Sequence, residues 1–296
     1  MSDVTLRQLE YFAAVAETQS VTNAARLCHV SQGAVSLALG QLENALGVPL
    51  ALRHRGRGVA LTPEGQEVAK RARLITEQVE QLRLAVLHTH TGLSGRLSIA
   101  VFSTVAVHVM PHLIEWFASK HPDIKLGFVE GNGPEIQQAL VSGRAQLSIG
   151  YQAQFGEGCE TELIHEFHRR VVLSPNHPLA DFEEISFAQL AQYPAAFLSL
   201  EPALQFTLAE FERYDVQANV GWLMSSVPAI HSVVGRGLAY SLLMQPTESS
   251  MENRPLVFRP LADKTSSNSL VAAMPLGIDR SAMVNEALAC LRAQWA

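Results

Sequence analysis

Residues 20–46 constrain the fold more than any other stretch of this chain, because they have the pattern of two short helices joined by a tight turn. Ser20 and Ser31 each stand where a serine side chain caps a helix N-terminus. The apolar residues of the second helix recur as one helical face requires: Val35, Leu39, Leu42 and Leu46. This pattern predicts a helix-turn-helix, whose second helix enters the DNA major groove. On these residues alone, a helical hairpin with a purely structural role is the alternative.

An arginine-rich turn follows the predicted second helix. Arg53, Arg55 and Arg57 stand close together with two glycines and lead into the apolar residues 59–61. Glycine suits a tight hairpin, and a guanidinium group matches the oxygens of a phosphate. We therefore expect a hairpin wing that contacts the DNA backbone. A basic loop that only faces solvent is the alternative.

Nearly the whole chain resembles the LysR-type transcriptional regulators. The motifs that carry the resemblance are Leu6-Arg7-Gln8-Leu9-Glu10-Tyr11-Phe12, Ala24-Ala25-Arg26-Leu27, His29-Val30-Ser31-Gln32, Gln41-Leu42-Glu43, Leu46-Gly47-Val48-Pro49-Leu50 and Leu61-Thr62-Pro63-Glu64-Gly65. The resemblance implies an α/β protein with an N-terminal winged helix-turn-helix, a long linker helix and a C-terminal two-lobed effector domain like a periplasmic binding protein. It implies double-stranded DNA, a small-molecule effector and further copies of the chain, as a dimer or tetramer, as partners. RNA polymerase is a further expected partner.

The predicted recognition helix departs from the usual pattern of that family. The family usually has a proline after the Ser-Gln pair and basic residues further on, whereas this chain has Gly33, Leu37 and Gly40 and no cation between residues 31 and 52. Each glycine inside a helix costs about 1 kcal/mol relative to alanine. The lack of cations predicts that DNA binding depends only weakly on salt concentration. A regulator whose DNA contact is impaired is a variant of the regulator hypothesis. We expect base contacts from Ser31, Gln32, Ser36 and Gln41, and phosphate contacts from Arg53, Arg55 and Arg57.

The net charge of −6 is unevenly distributed along the chain. Residues 1–62 carry five arginines against four acids, and residues 63–91 carry four basic and four acidic residues. Residues 92–296 carry 13 basic and 20 acidic residues. The acidity therefore lies away from the predicted DNA contact, and the overall negative charge does not exclude DNA binding.

Several function classes are excluded by what the sequence lacks. No apolar run approaches the roughly 20 residues that span a bilayer, and the N-terminus has no signal-peptide pattern, so we expect a cytoplasmic protein without a membrane partner. Cys28, Cys159 and Cys290 have no metal-ligand spacing; buried thiols are expected, with a redox pair of Cys159 and Cys290 as the alternative. His165 and His168, in a segment expected to be irregular, lack an acidic partner. We predict no metal, no cofactor and no enzymatic activity, since nucleophile-elbow and phosphate-loop motifs are also absent.

A long helix is predicted to follow the winged domain, beginning with Thr62 as cap and Pro63 in the first turn. Its apolar residues have the spacing of a helix-pair seam: Val68, Ala72, Ile75, Val79, Leu82 and Val86. The resemblance implies that the partner helix belongs to a second subunit. Packing on its own domain is the alternative. The predicted domains are therefore residues 1–62, a linker helix at 63–91 and an effector domain at 92–296.

Strands and helices alternate in the effector domain, which predicts parallel sheets in two α/β lobes. Lobe I is expected at about 95–164 and 268–296, and lobe II at about 165–267. A cleft between such lobes can close on a small molecule. Ligands of open α/β sheets bind beyond the carboxyl ends of the strands. The expected effector contacts are Ser103, Thr104, Asn132, Tyr151, Leu200, Glu201 and Ser226.

Hydroxyl groups and free amides at Ser103 and Thr104 suit a carboxylate, although ordinary capping of the helix is an equal alternative. Glu201 would favour a donor group on the ligand and disfavour a dianion, unless it points to solvent. A different function class also stays open at this point. The chain could be a cytoplasmic small-molecule-binding α/β protein whose N-terminal helices only oligomerise.

Overall fold

The N-terminal part of the computed structural model is a three-helix unit with a two-stranded hairpin, followed by a long helix. The structure describes residues 4–54, 58–87 and 93–295. Hydroxyl groups of Ser20 and Ser31 cap the second and third helices, as predicted. The elements are α1 (Leu6–Thr18), α2 (Val21–Leu27), α3 (Gln32–Leu46), β1 (Ala51–His54), β2 (Gly58–Leu61) and α4 (Pro63–Leu87). The predicted winged helix-turn-helix is confirmed.

The long helix α4 divides its apolar seam between two environments. Ala69 and Ala72 are buried against α1 and α3, so the first third of the helix belongs to the core of the N-terminal domain. Further along, Ile75 and Leu82 are 46% and 66% exposed. Arg73 Nη1 donates to the carbonyl oxygen of Ser142 in the next domain at 3.4 Å. The start of α4 therefore packs on its own domain, while the exposed Ile75 and Leu82 suit a contact with a second subunit.

The effector domain contains the remaining helices and strands. In chain order they are β3 (Gly95–Phe102), α5 (Ser103–Lys120), β4 (Ile124–Gly131), α6 (Gly133–Val141), β5 (Leu147–Tyr151), β6 (Cys159–Phe167), β7 (Arg170–Leu173), α7 (Phe187–Leu190), β8 (Ala195–Leu198), α8 (Ala203–Arg213), β9 (Val220–Met224), α9 (Val227–Gly235), β10 (Ser241–Leu243), β11 (Val257–Pro260), β12 (Asn268–Pro275) and α10 (Ala282–Gln294). A short 3-10 helix, Gln152–Gln154, follows β5.

Lobe I has a five-stranded sheet in the order β4-β3-β5-β12-β6. The first three strands are parallel, as expected, but β12 runs antiparallel to both of its neighbours. The predicted parallel sheet is therefore correct for β3, β4 and β5 and wrong for β12, the strand that brings the chain back from the other lobe. The expectation of irregular structure around His165 was also wrong, since residues 159–167 form the edge strand β6. Alternating acidic residues, Glu160 and Glu162 among them, disguise this strand in the sequence.

Lobe II is built around β7, which pairs antiparallel with β10 and β11, so the expectation of a parallel sheet was wrong for these strands. A parallel pair, β8 and β9, joins it through a bridge between Ala195 and Tyr240. The short strand β11 was not predicted. Two crossovers connect the lobes, one between β6 and β7 and one between β11 and β12. Each lobe has its own apolar core. The space between the lobes is therefore not filled by a shared core and can hold a ligand.

Candidate functional site

The outward face of α3 is polar at its start and small or apolar further on. Ser31 and Gln32 are exposed and Ser36 is half-buried. Leu37 is 64% exposed. A Cβ atom added to Gly40 would meet nothing within 4 Å, and one added to Gly33 would only touch Ser31 Oγ at 3.8 Å. The fold therefore requires neither glycine, and both leave the helix backbone open to close approach by another molecule.

Gln41 is held by a side chain of the first helix. Gln8 Nε2 donates to Gln41 Oε1 at 3.2 Å, and Gln8 itself forms a capping box with Thr5 at the start of α1. The carboxamide of Gln41 is thus oriented before any partner binds. Its NH2 group forms no hydrogen bond with the described residues and is free to donate.

The predicted wing is the antiparallel hairpin of β1 and β2. It pairs Ala51 with Leu61, and the backbone N–H of Val59 donates to the carbonyl of Gln19 at 2.9 Å, which ties the hairpin to α1. Arg55, Arg57 and the side chain of Arg53 lie outside the described residues. Their phosphate contacts remain predictions.

A cleft of about 850 Å³ lies between the two lobes. Its volume is in the range of small-molecule sites. Five of the seven predicted effector contacts line it: Ser103, Thr104, Tyr151, Glu201 and Ser226. The other two lie elsewhere, because Asn132 forms a capping box with Glu135 at the start of α6 and Leu200 packs against the core of lobe I.

The start of α5 lies in the cleft wall. The helix begins at Ser103, and no side chain caps it. The capping interpretation of Ser103 and Thr104 is therefore wrong. Thr104 Oγ1 is buried and forms no hydrogen bond of standard geometry with the described residues. The first turn of α5 thus offers a hydroxyl group and amide N–H groups to a ligand.

Arg169 is a functional candidate that the sequence did not indicate. It lies in the first crossover, lines the cleft and is 6% exposed. Its Nη1 atom has no hydrogen-bond partner among the described residues. Burial lowers the pKa of Arg169, and the negative charge of Glu210 opposes that shift. The arginine remains a cation at neutral pH, because a guanidinium group is not deprotonated in proteins.

A hydrogen bond connects the two lobes next to Arg169. Gln245 Nε2, which follows β10 in lobe II, donates to the hydroxyl oxygen of Tyr151 in lobe I at 2.9 Å. Burial raises the pKa of Tyr151 to about 12, so its hydroxyl group stays protonated at neutral pH. Both residues line the cleft, so a ligand there contacts the link between the lobes.

Two histidines line the cleft from opposite lobes. His108 is on α5 and His231 is on α9. Burial lowers the pKa of each from the usual value of 6.5, so both are neutral at pH 7. Among the described lining residues, this leaves Arg169 as the one cation, with the exposed acids Glu130 and Glu201 as anions.

The described residues contain no cluster of three or more metal-ligating side chains. Cys28, Cys159 and Cys290 are all free thiols; Cys290 is buried as expected, whereas Cys28 and Cys159 are only half-buried, so that expectation was wrong for them. Over the same described residues, no helix has both the length and the apolar character needed to cross a membrane.

Comparison with known protein families identifies both the N-terminal and the C-terminal domain. Residues 6–66 match the model of the bacterial regulatory helix-turn-helix proteins of the lysR family, and residues 90–296 match the LysR substrate binding domain. The chain belongs to the LysR family. It is therefore a DNA-binding transcription regulator with a C-terminal domain that binds a small-molecule effector, and its partners include DNA and further copies of itself. The alternative function, a small-molecule-binding protein whose N-terminal helices only oligomerise, is thereby excluded.

Several transcription regulators align with most of the length of this chain. The Hca operon transcriptional activator HcaR of Escherichia coli is 30% identical over 97% of this chain and 99% of its own length. The RuBisCO operon transcriptional regulator of Allochromatium vinosum is 34% identical over 86% of this chain and 84% of its own. The crystal structure of HinK from Pseudomonas aeruginosa is 26% identical, covers 99% of both chains and has a TM-score of 0.65. LysR regulators are typically non-enzymatic.

Proposed function

We propose that a dimer of this LysR regulator binds an inverted repeat upstream of its target genes and changes the bend of that DNA when a small molecule fills the cleft. The observation that carries the proposal is the 850 Å³ cleft between two lobes on the same chain as a winged helix-turn-helix. Regulators of this bacterial family reach the chromosome in the cytoplasm, which is where we place this protein. The functional units are residues 1–62 for DNA, 63–91 for pairing and 92–296 for the effector.

Specificity in this proposal comes from the N-terminal end of α3. Ser31 and Gln32 are exposed there, and Ser36 follows one turn later. The first residues of a recognition helix reach base edges, and glutamine can form two hydrogen bonds with adenine. Phosphate contacts are assigned to Arg53, Arg55 and Arg57 in the wing, because the outward face of α3 has no cation.

Control in this proposal comes from the link between the lobes. The Tyr151–Gln245 hydrogen bond and the two crossovers determine how far the lobes can move apart. A ligand that contacts both lobes favours one lobe arrangement over the other, which is how a small molecule shifts a two-state equilibrium. The exposed part of the α4 seam, with Ile75 and Leu82, supports pairing with a second subunit that transmits this change.

A gel-shift titration tests the proposal. The full-length protein is titrated on the DNA upstream of its own gene, with a shuffled fragment of equal length as control. We expect at least about 1,000-fold preference for the upstream DNA, and footprints over two half-sites about 10 base pairs, or a multiple of that distance, apart. Equal affinity for both fragments would contradict sequence-specific binding through α3.

A further inference from the structure

Arg169 is a buried cation without an internal hydrogen bond at Nη1. It is 6% exposed, and it forms no ion pair within 4 Å among the described residues. Leaving an N–H of a buried charged group unpaired is costly, and such groups in folded proteins usually have a partner. Because Arg169 lines the cleft, the missing partner can come from a bound ligand.

The nearby carboxylate of Glu210 does not fill this role. Glu210 is buried, and its Oε1 atom accepts two hydrogen bonds from Ser266, from the backbone N–H at 2.9 Å and from Oγ at 2.5 Å. These bonds tie α8 to the second crossover. Arg169 lines the cleft and Glu210 does not, and no ion pair within 4 Å joins them among the described residues.

Other possible donors also line the cleft. The first turn of α5 is uncapped, the buried hydroxyl group of Thr104 lies beside the hydroxyl group of Tyr151, and both residues line the cleft with Arg169. A guanidinium group, a hydroxyl group and a helix N-terminus together favour an anion. Much of the remaining lining is apolar, including Val107, Met110, Phe206 and Met244.

We propose that Arg169 binds the carboxylate of the effector and that the effector is a monocarboxylate with an apolar body. This rests on the proposed role of the cleft as the effector site. A guanidinium group matches a carboxylate in bidentate geometry, and the apolar wall accommodates the rest of the molecule. Glu130 and Glu201, both exposed at the cleft, repel a second carboxylate. The ligand then contacts the crossover itself, where a single contact affects both lobes.

Matched acids and amides test the proposal. Benzoate, phenylacetate and octanoate are compared with their amides by thermal shift and calorimetry on the full-length wild-type protein, R169Q and R169K. We expect at least one acid to bind wild type and to lose at least about 30-fold in affinity in R169Q, since a buried partner is left unpaired. R169K keeps the charge but not the planar fork, so about a 10-fold loss is expected. R254Q, at an exposed arginine outside the cleft, is the control and should bind like wild type.

Three results would overturn the assignment of Arg169. They are unchanged acid affinity in R169Q and R169K, amides that bind as tightly as the acids, and no binding of any acid to wild type. A gel shift on the upstream DNA, run in parallel, distinguishes failure of the Arg169 assignment from failure of the proposed function. Binding of amides alone with intact DNA binding refutes the monocarboxylate but leaves the cleft as the effector site, whereas loss of specific DNA binding in wild type refutes the regulator model itself. If R169Q does not fold, R169K decides the outcome.

Discussion

The DNA-binding surface and the effector cleft use positive charge in opposite ways. The outward face of α3 has no cation, and the arginines of the N-terminal domain that are expected to bind phosphates are grouped in the turn after it. Among the described residues that line the cleft there is one cation, Arg169, which is almost completely buried. Phosphate contacts at a solvated surface are weakened by salt, whereas a charge in an enclosed apolar site is screened much less. The first arrangement suits a long charged polymer, and the second suits selection of one small anion.

Removing the wing arginines tests the first half of this comparison and has the largest expected effect. R55A/R57A should bind all DNA sequences roughly 10- to 100-fold more weakly, because two charge-assisted contacts are lost. The slope of log affinity against log salt should fall by about 1.8, at about 0.9 per phosphate contact. Anisotropy titrations at several salt concentrations measure both. R236A, at an arginine on the surface of lobe II, is the control. An unchanged salt slope would remove the wing from the DNA interface.

Gln32 tests whether the uncharged helix specifies the sequence. Q32A should lose roughly 5- to 100-fold of discrimination at one base position while its affinity for shuffled DNA stays unchanged. Selection of bound sequences from a randomised operator measures the change. Q66A, at an exposed glutamine of α4, should keep the wild-type preference. A uniform loss across all sequences would make Gln32 a backbone contact instead.

Tyr151 tests the link between the lobes. Y151F loses the bond from Gln245 and should lower the free energy of unfolding by about 1 kcal/mol near pH 7. The folded-state pKa of about 12 lies above the ordinary value of 10, so this tyrosine contributes stability that is lost as pH rises from 10 to 12. Y151F should therefore lose less stability than wild type over that range. Denaturant unfolding at pH 7, 10 and 11 measures both effects, with Y193F as control. Parallel pH profiles of wild type and Y151F would contradict the buried, protonated state.

Substitution of Gly40 has the smallest expected effect, and its effect on stability should be opposite to that of substituting Gly65. G40A should stabilise the protein by about 0.5 to 1 kcal/mol, because its Cβ meets nothing and alanine favours a helix. Operator affinity should fall several-fold, since the face of α3 is no longer open to the DNA. G65A should instead destabilise, because its Cβ would lie 1.9 Å from the carbonyl oxygen of Leu50. A G40A protein with unchanged operator affinity would show that this glycine serves neither fold nor DNA.

The N-terminal domain could be predicted from local sequence, and the cleft only in part. Ser20 and Ser31 cap helices within three residues of themselves, so their pattern is visible in the chain. The cleft brings together residues that are far apart, such as Tyr151 and Gln245. Nothing near Arg169 in sequence indicates that it is buried, because β6 and the antiparallel return of β12 decide its surroundings. Ser103 was found because strand-to-helix turns mark the ligand side of a sheet, whereas a buried crossover residue has no such signal.

The central claim is that filling the cleft changes how the N-terminal domains hold DNA. The upstream fragment, labelled with a donor and an acceptor dye at its two ends, reports the bend angle by energy transfer when the full-length protein binds. Adding the monocarboxylate that stabilises the protein most should change the transfer efficiency with a midpoint equal to its Kd for the cleft, and R169Q should show no change at that concentration. Identical transfer with and without saturating ligand in the wild-type complex would contradict the account.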